Sequence, residues 1–170
     1  MKRQLLVLPA LFLSKTLFAA TAVIPMYLTD AAPNQKAYVG TVTATDTQYG
    51  LMLTPNLSGL VPYMKPGAHG FHVHTNPSCA NHGLAAGGHL DPLKTNHHYG
   101  PYNPKGHLGD LPVISIDPDG KATTPVVAPR LTVKDILNHS LMIHAGGDTY
   151  SDKPALGGGG TRMVCGVIPA

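Results

Sequence analysis

Polar and apolar residues begin to alternate at Lys36. In K-A-Y-V-G-T-V-T-A-T (36–45) and again in Y-G-L-M-L-T (49–54), small or apolar positions trade places with polar ones at period two. That period marks strands with one face in the core and one in water. P-N-L-S-G (55–59) and K-P-G (65–67) interrupt it with turn formers. V-I-S-I (113–116), D-P-D-G (117–120) and K-A-T-T-P-V-V (121–127) predict a hairpin, with Pro118 and Gly120 placed to suit the reversal. S-L-M-I-H (140–144) and R-M-V-C-G-V-I (162–168) complete the set, while L-T-V-K-D-I-L (131–137) fits either one helical turn or a bent strand. Short strands with turn signals between them predict an all-β sandwich or barrel. Two stretches, 75–110 and 145–161, are rich in Gly, Pro, Asn and His and hold no period. They predict long loops, which in a compact domain are functional or disordered.

Composition strengthens the β reading. All nine acidic residues are Asp, so Glu is lost as a helix former, and 19 Gly with 16 Pro favour turns. A length of 170 residues suits one domain. Lys2 and Arg3, then L-L-V-L-P-A-L-F-L (5–13), then A-T-A (20–22) form the basic, apolar and small-residue parts of an export signal, predicted to span 1–22. Pro9, Lys15 and Pro25 break the run of about 20 apolar residues that a membrane span needs, so no stable membrane association is expected after cleavage. Residues 23–35 read as a loose polar segment and 36–170 as the domain proper. Losing Lys2, Arg3 and Lys15 leaves nine basic against nine acidic residues, which gives a nucleic-acid partner no electrostatic support. Export implies an oxidising compartment. There Cys79 and Cys165, 86 positions apart, are expected as a disulfide worth roughly 4 to 5 kcal/mol in the chain-entropy model, which removes both sulfurs as metal ligands.

The histidines give the loops a task. All ten fall between His69 and His144. In G-F-H-V-H (70–74), His72 and His74 share a strand face with Cα atoms roughly 6.5 to 7 Å apart, close enough for two imidazoles to converge on one ion, while Phe71 and Val73 face the core. An H-x-H pair alone is weak evidence. Here it is joined by G-G-H-L-D-P (His89), H-H-Y-G-P (His97, His98), K-G-H-L-G-D-L-P (His107, Asp110) and L-M-I-H (His144).

These motifs, followed by M-I-H-A-G-G-D (142–148) and G-G-G-T-R-M-V-C-G-V-I (158–168), resemble in content and order the copper,zinc superoxide dismutase family of the bacterial exported, periplasmic type. The resemblance runs from about Lys36 to the C-terminus. It implies a Greek-key β-sandwich or flattened barrel of about eight antiparallel strands with two long functional loops. One copper and one zinc ion per subunit would be bound. Superoxide would be dismuted to dioxygen and hydrogen peroxide by a monomer or homodimer in the periplasm. Carried over residue by residue, the resemblance makes His72, His74, His89 and His144 copper ligands, and His89, His98, His107 and Asp110 zinc ligands. Arg162 is then the anion-attracting catalytic residue, His89 also the proton carrier, and Asp148 the acceptor for one histidine from each metal's set. Ligand arithmetic agrees: six His and one Asp are one short of two four-coordinate sites, and a shared ring, held as imidazolate by two cations, closes the gap. Nitrogen and oxygen donors without thiolate suit Cu(II) and Zn(II).

Of the other histidines, His69 fits a structural place in its loop, His97 adjoins a ligand, and His82 and His139 are expected in solvent. The run Gly157 to Gly160 precedes a strand and no helix, which favours packing under the site over a phosphate cradle. Only Ala80, Asn81 and His82 separate Cys79 from G-L-A-A-G-G-H, where many bacterial members carry a longer insertion, so dimer contacts assigned to that insertion do not transfer. A periplasmic metal-binding module without redox catalysis is the alternative, and it would be favoured by a missing copper ligand or arginine. A zinc hydrolase of the H-E-x-x-H kind is ruled out by the lack of Glu.

Overall fold

The computed structural model describes residues 19–29 and 36–170. Strands β1 (Thr21–Leu28), β2 (Tyr38–Thr47), β3 (Gly50–Leu57), β4 (Gly67–His69), β5 (Phe71–His74), β6 (Ile114–Ile116), β7 (Val126–Ala128), β8 (Ser140–His144) and β9 (Arg162–Val167) are joined by loops and the short helix α1 (Val133–Ile136). Seven strands form one antiparallel sheet in the order β5-β8-β9-β1-β2-β3-β7, and β4 pairs with β6 as a separate ribbon. The neighbours β5–β8, β9–β1 and β3–β7 are distant in sequence, as a Greek-key plan requires. Ile24, Val42, Leu53, Phe71, Val73, Ile114, Leu141, Ile143 and Val164 fill the core between the curled sheet and the ribbon. The fold is all-β and barrel-like.

Two expectations change. Residues Thr21–Leu28 belong to the domain as β1, not to a loose segment, and β1 lies inside the sheet, registered against β2 along its length and against β9 at Tyr27 and Leu28. Its residues alternate outward and inward, Ala22, Ile24, Met26 and Leu28 being buried. Val23, Pro25 and Tyr27 on the outer face are also apolar, and that hid the period. Pro25 sits where β1 is registered with β2 alone, the one-sided pairing in which strand prolines are tolerated. A cut after Ala22 would remove the first two residues of this strand. Residues 1–18 of the expected signal, and 30–35 of the expected loose segment, lie outside the described residues.

The predicted hairpin is half present. Its turn forms, Gly120 N–H donating to the Asp117 carbonyl (3.0 Å) and Lys121 N–H to Asp117 Oδ1 (2.8 Å). The flanking strands then part, β6 to β4 and β7 to β3. Period-two patterning specifies a buried face and not a partner, and Pro125 offers no N–H for continuing the ladder into β7. At 131–137 the helical alternative holds: Thr132 N–H donates to Asp135 Oδ2 (2.8 Å), and Val133 and Ile136 are buried.

Candidate metal centre

Strand β5 is the platform of the site. On one side it pairs with β8, Phe71 against Ile143 and His74 against Ser140, and His144 at the end of β8 stands opposite Arg162 of β9. Along its other edge the long loop passes twice. Leu90 N–H donates to the Val73 carbonyl (2.8 Å) and Val73 N–H to the Gly109 carbonyl (2.9 Å), which sets His89 beside His74 and Asp110 beside His72. Gly109 is required here, since a Cβ would lie 2.3 Å from the Val73 carbonyl oxygen. Seven side chains from five separate motifs thus meet at one end of the sheet, all of them buried.

They form two groups with one common member. His72, His74, His89 and His144 each offer a ligand atom within 4.8 Å of the others, and so do His89, His98, His107 and Asp110. In the first group every ring has one nitrogen committed elsewhere. His72 Nε2–H donates to Asp148 Oδ2 (2.7 Å), His74 Nδ1–H to the Gly87 carbonyl (2.9 Å) and His144 Nδ1–H to the Gly160 carbonyl (3.1 Å). The opposite nitrogens, His72 Nδ1, His74 Nε2 and His144 Nε2, are buried without any hydrogen-bond partner. Buried nitrogens left bare are costly unless something accepts their lone pairs. Burial, reinforced by the neighbouring His89, lowers His72 to about 3 and His74 to about 2; burial lowers His144 to about 4. All three lone pairs are therefore free at neutral pH.

In the second group three nitrogens crowd one oxygen. His89 Nδ1, His98 Nδ1 and His107 Nδ1 lie 2.9, 3.0 and 3.3 Å from Asp110 Oδ1. His98 already donates from Nε2 to Asp148 Oδ1 (2.7 Å), so in its neutral form its Nδ1 faces the carboxylate with a lone pair. Either a proton or a cation must separate them. Burial disfavours the proton, yet Asp110 and Asp148 together raise His98 to about 9; against the pull of burial, hydrogen bonds from His107, His89 and His98 hold the Asp110 carboxyl, and those from His72 and His98 the Asp148 carboxyl, well below the usual range. Three nitrogens and one carboxylate around one point are also the donor set of a closed zinc site. His72, His98 and Asp148 form a third cluster. There both rings donate N–H groups to the carboxylate, so it is a strut between the two groups.

Arg162 is half-buried, its guanidinium donating to the carbonyls of Gly83 (2.7 Å) and Gly87 (2.8 Å). The Gly87 carbonyl thereby serves both Arg162 and His74. The loop carrying it is tied to β9 by the Cys79–Cys165 disulfide, Cα atoms 5.8 Å apart. Backbone acceptors of this kind escaped the sequence reading because any residue carries a carbonyl; the only trace was G-G-H, where Gly87 adopts a positive φ of 76°. Tyr150 was also missed. Its N–H donates to Asp148 Oδ1 (2.8 Å) and its hydroxyl accepts the Val113 N–H (2.9 Å). The glycine run serves close packing: a Cβ on Gly157 would lie 2.1 Å from Asp148 Oδ1 and 2.6 Å from His98 Nε2.

The remaining histidines stand apart from both groups. His69 is buried, its ring nitrogens 2.9 and 2.8 Å from the carbonyl oxygens of His144 and Lys65. His97 is exposed, stacked on Tyr99 and bonded to Asp152 Oδ2 (2.8 Å). His82 is exposed. His139 departs from expectation: it is half-buried, with Nδ1 donating to the Thr75 carbonyl (2.6 Å).

A barrel-like β fold presenting a six-histidine, one-aspartate double cluster defines a two-metal protein. Comparison with known proteins gives the family: the profile of Copper/zinc superoxide dismutase (SODC) matches residues 38–168, and the chain belongs to that family. It is 46% identical over 167 residues to the superoxide dismutase [Cu-Zn] of Legionella pneumophila, covering 98% of each chain. It is 55% identical over 140 residues to superoxide dismutase [Cu-Zn] 1 of Salmonella typhimurium, covering 76% of this chain and 77% of that one. Among solved structures, the Cu/Zn superoxide dismutase of Brucella abortus superposes with a TM-score of 0.79 at 46% identity, covering 88% of this chain and 99% of the other.

Proposed function

We propose that the protein dismutes superoxide, with His72, His74, His89 and His144 holding copper, His89, His98, His107 and Asp110 holding zinc, and His89 shared. The observation that carries this is the convergence of three bare, buried nitrogens, His72 Nδ1, His74 Nε2 and His144 Nε2, beside His89. Copper bound there supplies reversible one-electron chemistry, so that two superoxide anions and two protons become dioxygen and hydrogen peroxide, while zinc supplies fixed positive charge. The chain's own residues do the rest. Arg162, held by two carbonyls beside His144, draws the anion in and orients it; charge steering of this kind raises on-rates by roughly 10- to 1000-fold, a magnitude for which this family is itself a standard example. His89 would hold a proton for the second substrate at Nε2, the nitrogen turned away from Asp110, whenever that atom is not occupied by copper. Asp148 grips one ring of each set and fixes both tautomers, so that His72 presents Nδ1 and His98 presents Nδ1.

Export to the periplasm is part of this reading, supported by the basic and apolar start of the chain and by the disulfide. The purified mature chain should contain one copper and one zinc per subunit and remove superoxide in a manner abolished by copper chelation and restored by copper. Two metals without copper-dependent turnover would support a metal-binding module instead.

A further inference from the structure

Arg130 follows β7 in the A-P-R-L turn and takes no part in the seven-ligand cluster. Its guanidinium is half-buried, and among the described residues its hydrogen-bond partners are all carbonyls. Nε donates to Pro101 (2.8 Å), Nη1 to Gly106 (3.2 Å), and Nη2 to Gly100 (3.2 Å) and His107 (2.5 Å). All four acceptors belong to buried residues, which without the guanidinium would lose these bonds in a setting where unpaired carbonyls are expensive. They also fall in two pairs, 100–101 and 106–107, on the two legs of the excursion that separates His98 from His107.

Each leg leads directly to a group of the zinc set. His107 contributes its own carbonyl to the guanidinium and its Nδ1 to the cluster; Gly100 N–H donates to Asp110 Oδ2 (3.2 Å). His107 N–H in turn donates to the His97 carbonyl (2.8 Å), closing the legs against each other. A cation placed near a cation site works against metal binding by charge alone. Its presence therefore needs a geometric reason, and a planar fork with five donors in fixed directions supplies one that an ammonium cannot.

We propose that Arg130 is a positioning residue for the zinc set: it pins both legs of the 100–107 excursion by their carbonyls and so presets His98, His107 and Asp110 to receive the ion. The inference rests on the zinc assignment above. Its test uses the whole mature chain, stripped of metal, as wild type, Arg130→Lys and Arg130→Gln. Zinc affinity is measured by competition with a chromophoric chelator, ligand geometry by the visible bands of Co(II) bound in place of zinc, and loop order by amide exchange at Gly106 and His107. Both variants should lose about 10- to 100-fold in zinc affinity, the usual cost of removing a group that orients ligands. They should also alter the Co(II) bands and exchange faster at both amides, with copper affinity unchanged. Urea unfolding of the metal-free forms verifies that each variant folds, and Arg130→Lys decides alone if Arg130→Gln does not. Wild-type zinc affinity and Co(II) bands in Arg130→Lys would overturn the proposal, as would equal loss of copper and zinc, which would make the residue generally structural. A wild-type chain that takes up no zinc would overturn the zinc assignment itself, and the inference with it.

Discussion

His72, His74, His98 and His144 each commit one ring nitrogen to a protein acceptor and turn the other toward the site, and the committed nitrogen is what a substitution exposes. His74 turns Nε2 inward only because its Nδ1–H is taken by the Gly87 carbonyl, which Arg162 also uses. The proposed role of Arg162 in drawing in the anion is thus joined to a structural one, and a rate measurement can separate these. Replacing Arg162 with Ala should reduce superoxide removal roughly tenfold or more at low ionic strength, and less at high salt, while copper and zinc content stay near wild type. Parallel loss of metal and rate would show that it acts through the Gly83–Gly87 loop alone. At this scale the side chains that converge on the site were legible because imidazole and carboxylate are rare enough to stand out in a loop. Their carbonyl partners were not. Arg130 was equally silent, since a charged residue in a turn ordinarily faces water.

At the scale of elements, β5 works because its two edges are used differently, one for β8 and one for two passes of the long loop. The H-x-H alternation was readable, as was the loop by its lack of period. The strand that holds the sheet's middle, β1, was not: with apolar residues on both faces it showed no period, and it was divided between the end of an export signal at Ala22 and a loose segment from Val23. The pairing of β6 and β7 was unreadable for the other reason, that alternation names no partner. The disulfide spans both scales, fastening loop 79–88 to β9. Replacing Cys79 and Cys165 together with Ser should lower stability by roughly 4 to 5 kcal/mol by the chain-entropy estimate, measured by urea unfolding of the metal-free form. It should also reduce turnover at unchanged copper content, because the carbonyls that aim Arg162 are no longer fixed. Wild-type turnover in that variant would disconnect the disulfide from the arginine.

Across the whole molecule, burying so many imidazoles sets how stability depends on pH once metal is removed. His72, His74 and His144, lowered by burial to about 3, 2 and 4, stay neutral in the folded chain where the unfolded chain, near 6.5, takes up protons. Their effect is loss of stability as pH falls below 6.5. His98 runs the other way. Raised to about 9 by Asp110 and Asp148 against the pull of burial, it keeps a proton that the unfolded chain releases, so its contribution is complete below 6.5 and is lost as pH rises through about 9. The metal-free protein should thus be most stable near pH 6.5, with the acid limb steeper than the alkaline one, because His89, also lowered by burial, joins His72, His74 and His144 against His98 alone, each group worth up to about 1.4 kcal/mol per pH unit. A stability profile that is flat from pH 4 to 9 would contradict this balance. Metal binding should steepen and extend the acid limb, because the ligands must be deprotonated to hold the ions and binding releases protons, the one on His98 included.

The centre of the account is that one ring joins two ion sites. Anomalous diffraction from crystals of the metal-loaded protein, collected on both sides of the copper and zinc absorption edges, reads it directly. The account predicts a copper peak among His72 Nδ1, His74 Nε2 and His144 Nε2, a zinc peak among His98, His107 and Asp110, and the His89 ring between them. A single peak, or two peaks with His89 turned away from either, would contradict it.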